Sequence, residues 1–211
     1  MEKTPTRQRV LSEGLRLFAE KGYKAVSMEQ IAAAVGIKAP SLYKHFSGKQ
    51  EIFRTIINEM KERHRQNMLE IQMRGGAQLD VELFMRAGEE RMVEIGRGLF
   101  QYYLHDSVFS NFRKMLTLGQ YADADIAKLL VAECMAGPLS YNEQLFGLMI
   151  GAGAFKNSQP KVMALHFYAP IYMLLLMCDV NPGLEAQSME TLEAHIRQFI
   201  RNYGTEKETM V

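Results

Sequence analysis

The chain has 211 residues, 47% of them hydrophobic and 23% charged, which is enough to bury a core and ordinary for a soluble globular protein. Its net charge of +1 hides an asymmetry: residues 1–50 hold nine Lys and Arg against four acids, a net of +5, and the remainder carries −4. A basic head on a mildly acidic body points to a polyanionic partner for the head, while two cysteines 44 positions apart argue against a disulfide framework or a zinc site.

The N-terminal stretch MEKTPTRQRVLSEG lacks the apolar core of a signal peptide. The longest apolar run, FYAPIYMLLLMC (Phe167–Cys178), is shorter than the roughly 20 residues that span a bilayer. A soluble cytoplasmic protein without membrane contact is expected.

Helical spacing runs the length of the chain, with no sustained period-two alternation, so the fold class is all-α. The first helix starts after Thr4 or Thr6 and stops at Gly22, with Val10, Leu11, Leu15, Leu17 and Phe18 as its apolar stripe. Ser27 caps the second, with Gln30 at capping-box spacing, and Gly36 ends it. A third short helix begins near Ala39 with Pro40 in its first turn, where proline is tolerated, and Ser47–Gly48 break it. A long helix follows from about Lys49 to Arg74. The boundary RGGAQ (Arg74–Gln78) then opens a larger helical region, with helices predicted near 78–104, 107–118, 123–136, 138–154, 159–179 and 185–203. Pro170 is expected to kink the fifth of these, and the tail GTEKETMV to fray. The expected domains are a three-helix head (1–48), a connecting helix (49–74) and a helical body (75–211).

Two short helices joined by a glycine-containing turn, here Met28–Ala34 and Ala39–His45 around VGIK, are the sequence sign of a helix-turn-helix. The second helix of such a unit enters the DNA major groove. The small residues Ala39 and Ser41 let its backbone approach, Lys38 and Lys44 reach bases or phosphates, and Tyr43 and His45 offer donors to phosphate oxygens. Lys49 and the first amides of the long helix form a further anion site. The plainer reading makes Tyr43 and Phe46 core residues and Lys44 and Lys49 a solvated face.

Residues 7–53 resemble the N-terminal domain of TetR-family transcriptional regulators. The resemblance rests on RVLSEGLRLFAEKGYKAVSMEQIAAAVGIKAPSLYKHFSGKQEIF, in which LFAEKGY, IAAAVGI and LYKHFSGKQEIF fall in that family's order and spacing. It implies a homodimer that binds a palindromic double-stranded DNA operator and usually represses. It also implies that Lys38, Ala39, Ser41, Tyr43, Lys44, His45 and Lys49 lie at the DNA, and Ser27 and Pro40 are taken as DNA-binding candidates with them. Two positions depart from the family pattern. Thr is common where Ser27 and Met28 stand; Ser27 still caps, but Met28 offers no hydroxyl. A polar residue or Gly is common where Pro40 stands, so base readout at Pro40 is expected to differ.

In the body, Met189, Leu192, Ile196, Phe199, Ile200 and Tyr203 form one stripe on the last helix. Helix 159–179 carries Val162, Leu165, Ala169, Tyr172, Met173 and Leu176. In the resembled family the last two helices pair with their copies, so the homodimer is expected through 159–179 and 185–203; the alternative is that both pack on their own chain. The chain has fifteen methionines, flexible side chains suited to sites of adaptable shape. With the resemblance, they suggest a small, mainly apolar inducer held by Phe84, Phe100, Tyr103, His105, Met115, Cys134, Tyr141, Met149, His166 and Met173. The alternative is that these residues are plain core. GAGAF is not a dinucleotide fingerprint, since no strand precedes it. No residue set carries catalytic or metal-ligand spacing, and no cofactor is expected.

Three function classes follow: a ligand-released repressor, a helix-turn-helix regulator controlled by a protein partner or by abundance, and an enzyme or interaction module that merely contains these helices.

Overall fold

The computed structural model describes residues 5–70, 73 and 76–205. Every regular element among them is helical: α1 (Thr6–Lys21), α2 (Met28–Val35), α3 (Ala39–Leu42), α4 (Lys49–Glu70), α5 (Ala77–Arg86), α6 (Glu89–His105), α7 (Ser107–Gly119), α8 (Ala124–Val131), α9 (Gly137–Gly151), α10 (Pro160–Val180) and α11 (Glu185–Tyr203). A π-turn (Ala132–Ala136) joins α8 to α9, and a 3₁₀ turn (Pro182–Leu184) precedes α11. The fold class is all-α, as expected.

The helices form two compact units, Met1–His64 with Asp106–Cys134, and Arg65–His105 with Met135–Val211. This division cuts across the head, connector and body expected from the sequence. In the first unit α7 packs along α1, and α8 packs on α7. The reason lies in the stripe Phe109, Phe112, Met115, Leu116, which is buried within the same unit as Val10, Leu15 and Phe18. Such a stripe declares that a helix is covered on one side, but not by which helix. Arg74 and Gly75 of the expected boundary, the last residues of the expected connecting helix and the tail from Glu206 lie outside the described residues.

In the second unit α9 packs on α5 and α10, while α11 packs on α6 and α10. One cluster is built from Leu145, Phe146, Met149, Phe155, Met163 and Phe199, and another from Val93, Phe100, Leu174, Leu175, Leu192 and Ile196. Phe155 and Gly204 form a single antiparallel bridge that ties the end of α11 to the segment after α9.

Three local expectations are corrected. The helix expected over 78–104 is two: Ala87 is extended, and Gly88 accepts the amide of Met92 to open α6, whose first turn carries Glu89 and Glu90, favourable at the positive helix end. Gly137–Pro138 does not separate two helices. The π-turn changes the hydrogen-bond register just ahead of Pro138, so the missing proline donor falls in the first turn of α9, where it is tolerated. The third helix keeps α geometry only to Leu42. Lys44 and His45 then donate three residues back, to Ser41 and Leu42, a tighter turn that ends at Phe46.

Candidate nucleic-acid interface

The head is assembled by short-range chemistry. Ser27 Oγ accepts the Gln30 amide at 3.3 Å while Gln30 Oε1 accepts the Ser27 amide at 2.8 Å, the reciprocal capping box anticipated from the sequence. Gly36 closes α2 in the left-handed region at φ 75°, accessible to glycine without a Cβ clash. Arg9 on α1 donates to the carbonyl of Val35, the last residue of α2. Arg7 stands 5.1 Å from the centre of the Phe46 ring.

α3 then presents two unlike faces. Leu42 and Phe46 are buried, at 0% and 1% exposure, and anchor it. Lys38, Pro40, Lys44 and His45 are exposed, Tyr43 is 51% exposed, and Ala39 and Ser41 are partly so. The plainer reading therefore holds for Phe46 and fails for Tyr43. The outward set combines two ammonium groups, a phenol and an imidazole, the donor types that meet phosphate oxygens and base edges.

Two of the sequence candidates are occupied differently. The Ser27 hydroxyl is spent on its cap. Lys49 Nζ donates to the carbonyls of Tyr23 at 2.8 Å, Val26 at 2.8 Å and Lys24 at 3.3 Å, and sits 4.5 Å from the centre of the Tyr23 ring. Its desolvation holds the ammonium pKa below the ordinary value. At the same helix start, Glu51 accepts from the amide and hydroxyl of Ser47 at 2.6 and 2.7 Å, and these bonds hold its carboxyl below the usual range. A carboxylate at this end counts against the anion site expected there.

The ten pocket candidates are not gathered in one place. Met115 and Cys134 belong to the first unit, the other eight to the second. Met149 is buried in the Phe146 cluster, with Phe84 and Tyr141 packed against it. Phe100 is buried in the Leu192 cluster, with Tyr103 at its edge. Met173 is 55% exposed. His105 and His166 are exposed; the first pairs with Glu185 at 2.7 Å and the second meets the Tyr203 hydroxyl at 2.7 Å. Cys134 lies in the π-turn, where burial pushes its thiol up to about 11 against the opposing effect of Arg113.

Two buried charged residues were missed. Asp80, at 0% exposure, accepts from the Tyr141 hydroxyl at 2.9 Å. Burial, and then this bond, push the Tyr141 phenol well up. Arg113 is 4% exposed. Both carried a legible signal, a charge at a position that completes an apolar stripe: Asp80 between Ala77 and Phe84, Arg113 between Phe109 and Leu116.

The bacterial regulatory protein family described as tetR matches residues 10–56, the segment that builds α1 to α3 and the start of α4. ComR, a helix-turn-helix transcriptional repressor of Escherichia coli K12, is 35% identical over 57 residues, and that match spans only 27% of this chain and 27% of ComR. A TetR-family transcriptional regulator from Pseudomonas syringae pv. tomato DC3000 is similar across 96% of this chain and 99% of its own, at TM-score 0.64 and 17% identity. SmeT, the repressor of the SmeDEF multidrug efflux pump of Stenotrophomonas maltophilia, in complex with triclosan, is similar over 95% of this chain and 92% of its own, at TM-score 0.66 and 18% identity.

Proposed function

We propose that this chain, which belongs to the tetR family of bacterial regulatory proteins, is a homodimeric transcriptional repressor that reads a palindromic operator and leaves it when a small, mainly apolar ligand binds. The observation that carries the DNA reading is the outward side of α3 and its flanks: Lys38 just before the helix and Tyr43, Lys44 and His45 in the turn after it are exposed, while Leu42 and Phe46 are buried beneath them. Exposed cations and aromatic donors on a rigid helix suit a groove, and phosphate contacts fix its register there.

α10 supports the dimer. Val162, Leu165, Ala169, Met173, Met177 and Val180 recur at spacings of three and four, and every one is exposed. They make one apolar stripe along the 21-residue helix, opposite the buried Met163, Leu174, Leu175 and Cys178. A second copy of this stripe is the partner that fits a two-fold reader. The length of α10 alone would also suit a bilayer, but its other face is packed against α9 and α11. The expected apolar stripe of α11 takes a different part. Leu192, Ile196 and Phe199 are buried within their own chain, so α11 would meet a partner through its outer residues Gln187, Thr191, Ala194 and Gln198.

A ligand site is supported by the aromatic and Met-rich surroundings of α5, α9 and α10, with Asp80–Tyr141 as a polar handle. The triclosan complex of SmeT gives the ligand class its precedent. Binding would shift the dimer toward a state whose heads no longer match successive major grooves, by no more than its differential affinity for the two states.

The test is selection of bound duplexes from a random pool by the purified protein. A two-fold symmetric consensus is expected, with steeply salt-dependent affinity. A pool that yields no consensus, with weak binding at moderate salt, would sink the DNA reading. A ligand that binds but leaves operator affinity unchanged would sink the switch.

A further inference from the structure

We infer that His195 is a positioning residue for the association face: it holds a proline bend in α10 and so sets the line of the apolar stripe. The inference rests on the dimer reading above, in which that stripe meets a second copy. Pro170 stands in the interior of α10, and the helix runs on to Val180 regardless. A proline there has no N–H to give the carbonyl four residues back, here that of His166, and its ring crowds that oxygen, so the helix bends. Carbonyls at such a bend are left short of helical donors and need others. One comes from α11: His195 Nε2 lies 2.8 Å from the carbonyl oxygen of Phe167, the residue after His166. A carbonyl only accepts, so Nε2 carries the proton and donates.

The bond fastens a turn that is already packed. The Phe167 ring meets Phe146 and Phe199 at centroid distances of 5.5 and 4.9 Å and lies 5.9 Å from the His195 ring. His166 Nδ1 meets the Tyr203 hydroxyl at 2.7 Å. The turn ahead of Pro170 is therefore tied to α11 by both His195 and Tyr203. The apolar stripe straddles this point: Val162, Leu165 and Ala169 come before Pro170, and Met173, Met177 and Val180 after it. The angle between the two halves is set at Pro170, and two copies mate along the whole stripe only when each holds the same angle. A proline bend with no outside donor samples a range of angles, and the His195 bond selects one. His195 is not a member of the stripe, so it acts on the association face through the backbone of α10.

The experiment measures dimer affinity by sedimentation, and the thermal unfolding midpoint, for wild type, His195→Leu, His195→Gln, Pro170→Ala, and Pro170→Ala combined with His195→Leu. His195→Leu removes the donor and should weaken the dimer about three- to tenfold. His195→Gln keeps an N–H donor at similar reach and should stay close to wild type. Pro170→Ala restores the backbone donor, straightens α10 and should weaken the dimer at least as much as His195→Leu. On that background His195 has no bend to hold, so adding His195→Leu should weaken the dimer no further. A side chain that merely packs would lower the unfolding midpoint alike with and without Pro170, and Gln would not rescue it. The inference is overturned if His195→Leu or Pro170→Ala dimerises as wild type, if His195→Gln fails as His195→Leu does, or if His195→Leu costs the same on both backgrounds. Should His195→Leu not fold, Pro170→Ala decides alone, and an unchanged dimer affinity overturns the inference. Wild-type protein that sediments as a monomer, or a dimer indifferent to Leu165→Lys with Met173→Lys, would overturn the dimer reading instead.

Discussion

α3 and α10 both show one buried and one open face, yet their open faces are opposites. α3 has four helical residues, and its cap Lys38 and the turn that follows it leave Lys38, Tyr43, Lys44 and His45 exposed. α10 has twenty-one and turns outward Val162, Leu165, Met173, Met177 and Val180. Isolated charges and donors on a surface cost little in water and become useful against a polyanion. A long apolar stripe in water is unfavourable in proportion to its area, and is relieved by a copy of itself. On the proposed function, the comparison teaches that a short helix serves as a reader when its neighbours hold it, whereas an association face needs length.

The largest effect is expected from the anchor of the short helix. Leu42→Ala removes a fully buried side chain and should cost about 2–5 kcal/mol, read as a lowered midpoint in thermal or urea unfolding. If α3 instead folded by its own propensity, the loss would be well under 1 kcal/mol. Next, Leu165→Lys with Met173→Lys places like charges on the α10 stripe. Loss of about 2 kcal/mol or more of dimer affinity is expected by sedimentation, with the monomer still folded. A dimer unmoved by both changes would place the association face elsewhere.

Tyr141→Phe withdraws the hydroxyl from the buried Asp80 and should destabilise by about 1–3 kcal/mol, measured by chemical denaturation. An unchanged midpoint would show that Asp80 is satisfied by other groups. Ser27→Ala removes the hydroxyl half of the α2 capping box, at a cost of about 1 kcal/mol. Operator binding should weaken with it if α2 braces α3, and only the unfolding midpoint should move if it does not.

The smallest effect is a slope. Burial lowers the pKa of His64 below its ordinary 6.5, with the carboxylate of Glu133, itself paired to Lys61, opposing the shift. The unfolded chain then takes up the proton more readily than the folded one. Stability from this group is complete above about pH 6.5 and is lost as pH falls through the depressed folded value. Denaturation midpoints of wild type should fall on acidification through that window more steeply than those of His64→Gln; parallel curves would remove His64 from the account.

The head was legible residue by residue because its instructions are local. Ser27 and Gln30 lie three apart, Gly36 follows its helix directly, and Leu42 and Phe46 are one turn apart, so each device appears within a few letters of sequence. Locality says less at Lys49. A lysine beside a helix start looks like an anion site, and nothing nearby in the sequence reveals that carbonyls 23 to 26 positions away would claim its protons.

The body was legible as helices and as stripes. The sequence by itself determined the all-α class, most helix boundaries, the helix-turn-helix and the apolar rows of α10 and α11. Periodicity shows that a face must be covered but is silent about the partner, because burial is non-directional. Tertiary structure alone decided that α7 and α8 pack with the head, and that the α11 row lies inside its own chain while the α10 row lies open. It alone paired Asp80 with Tyr141 across 61 positions. It also scattered the aromatic and Met candidates over separate clusters. Pairings between distant helices depend on which complementary surfaces meet in space, and that information is spread over the whole chain.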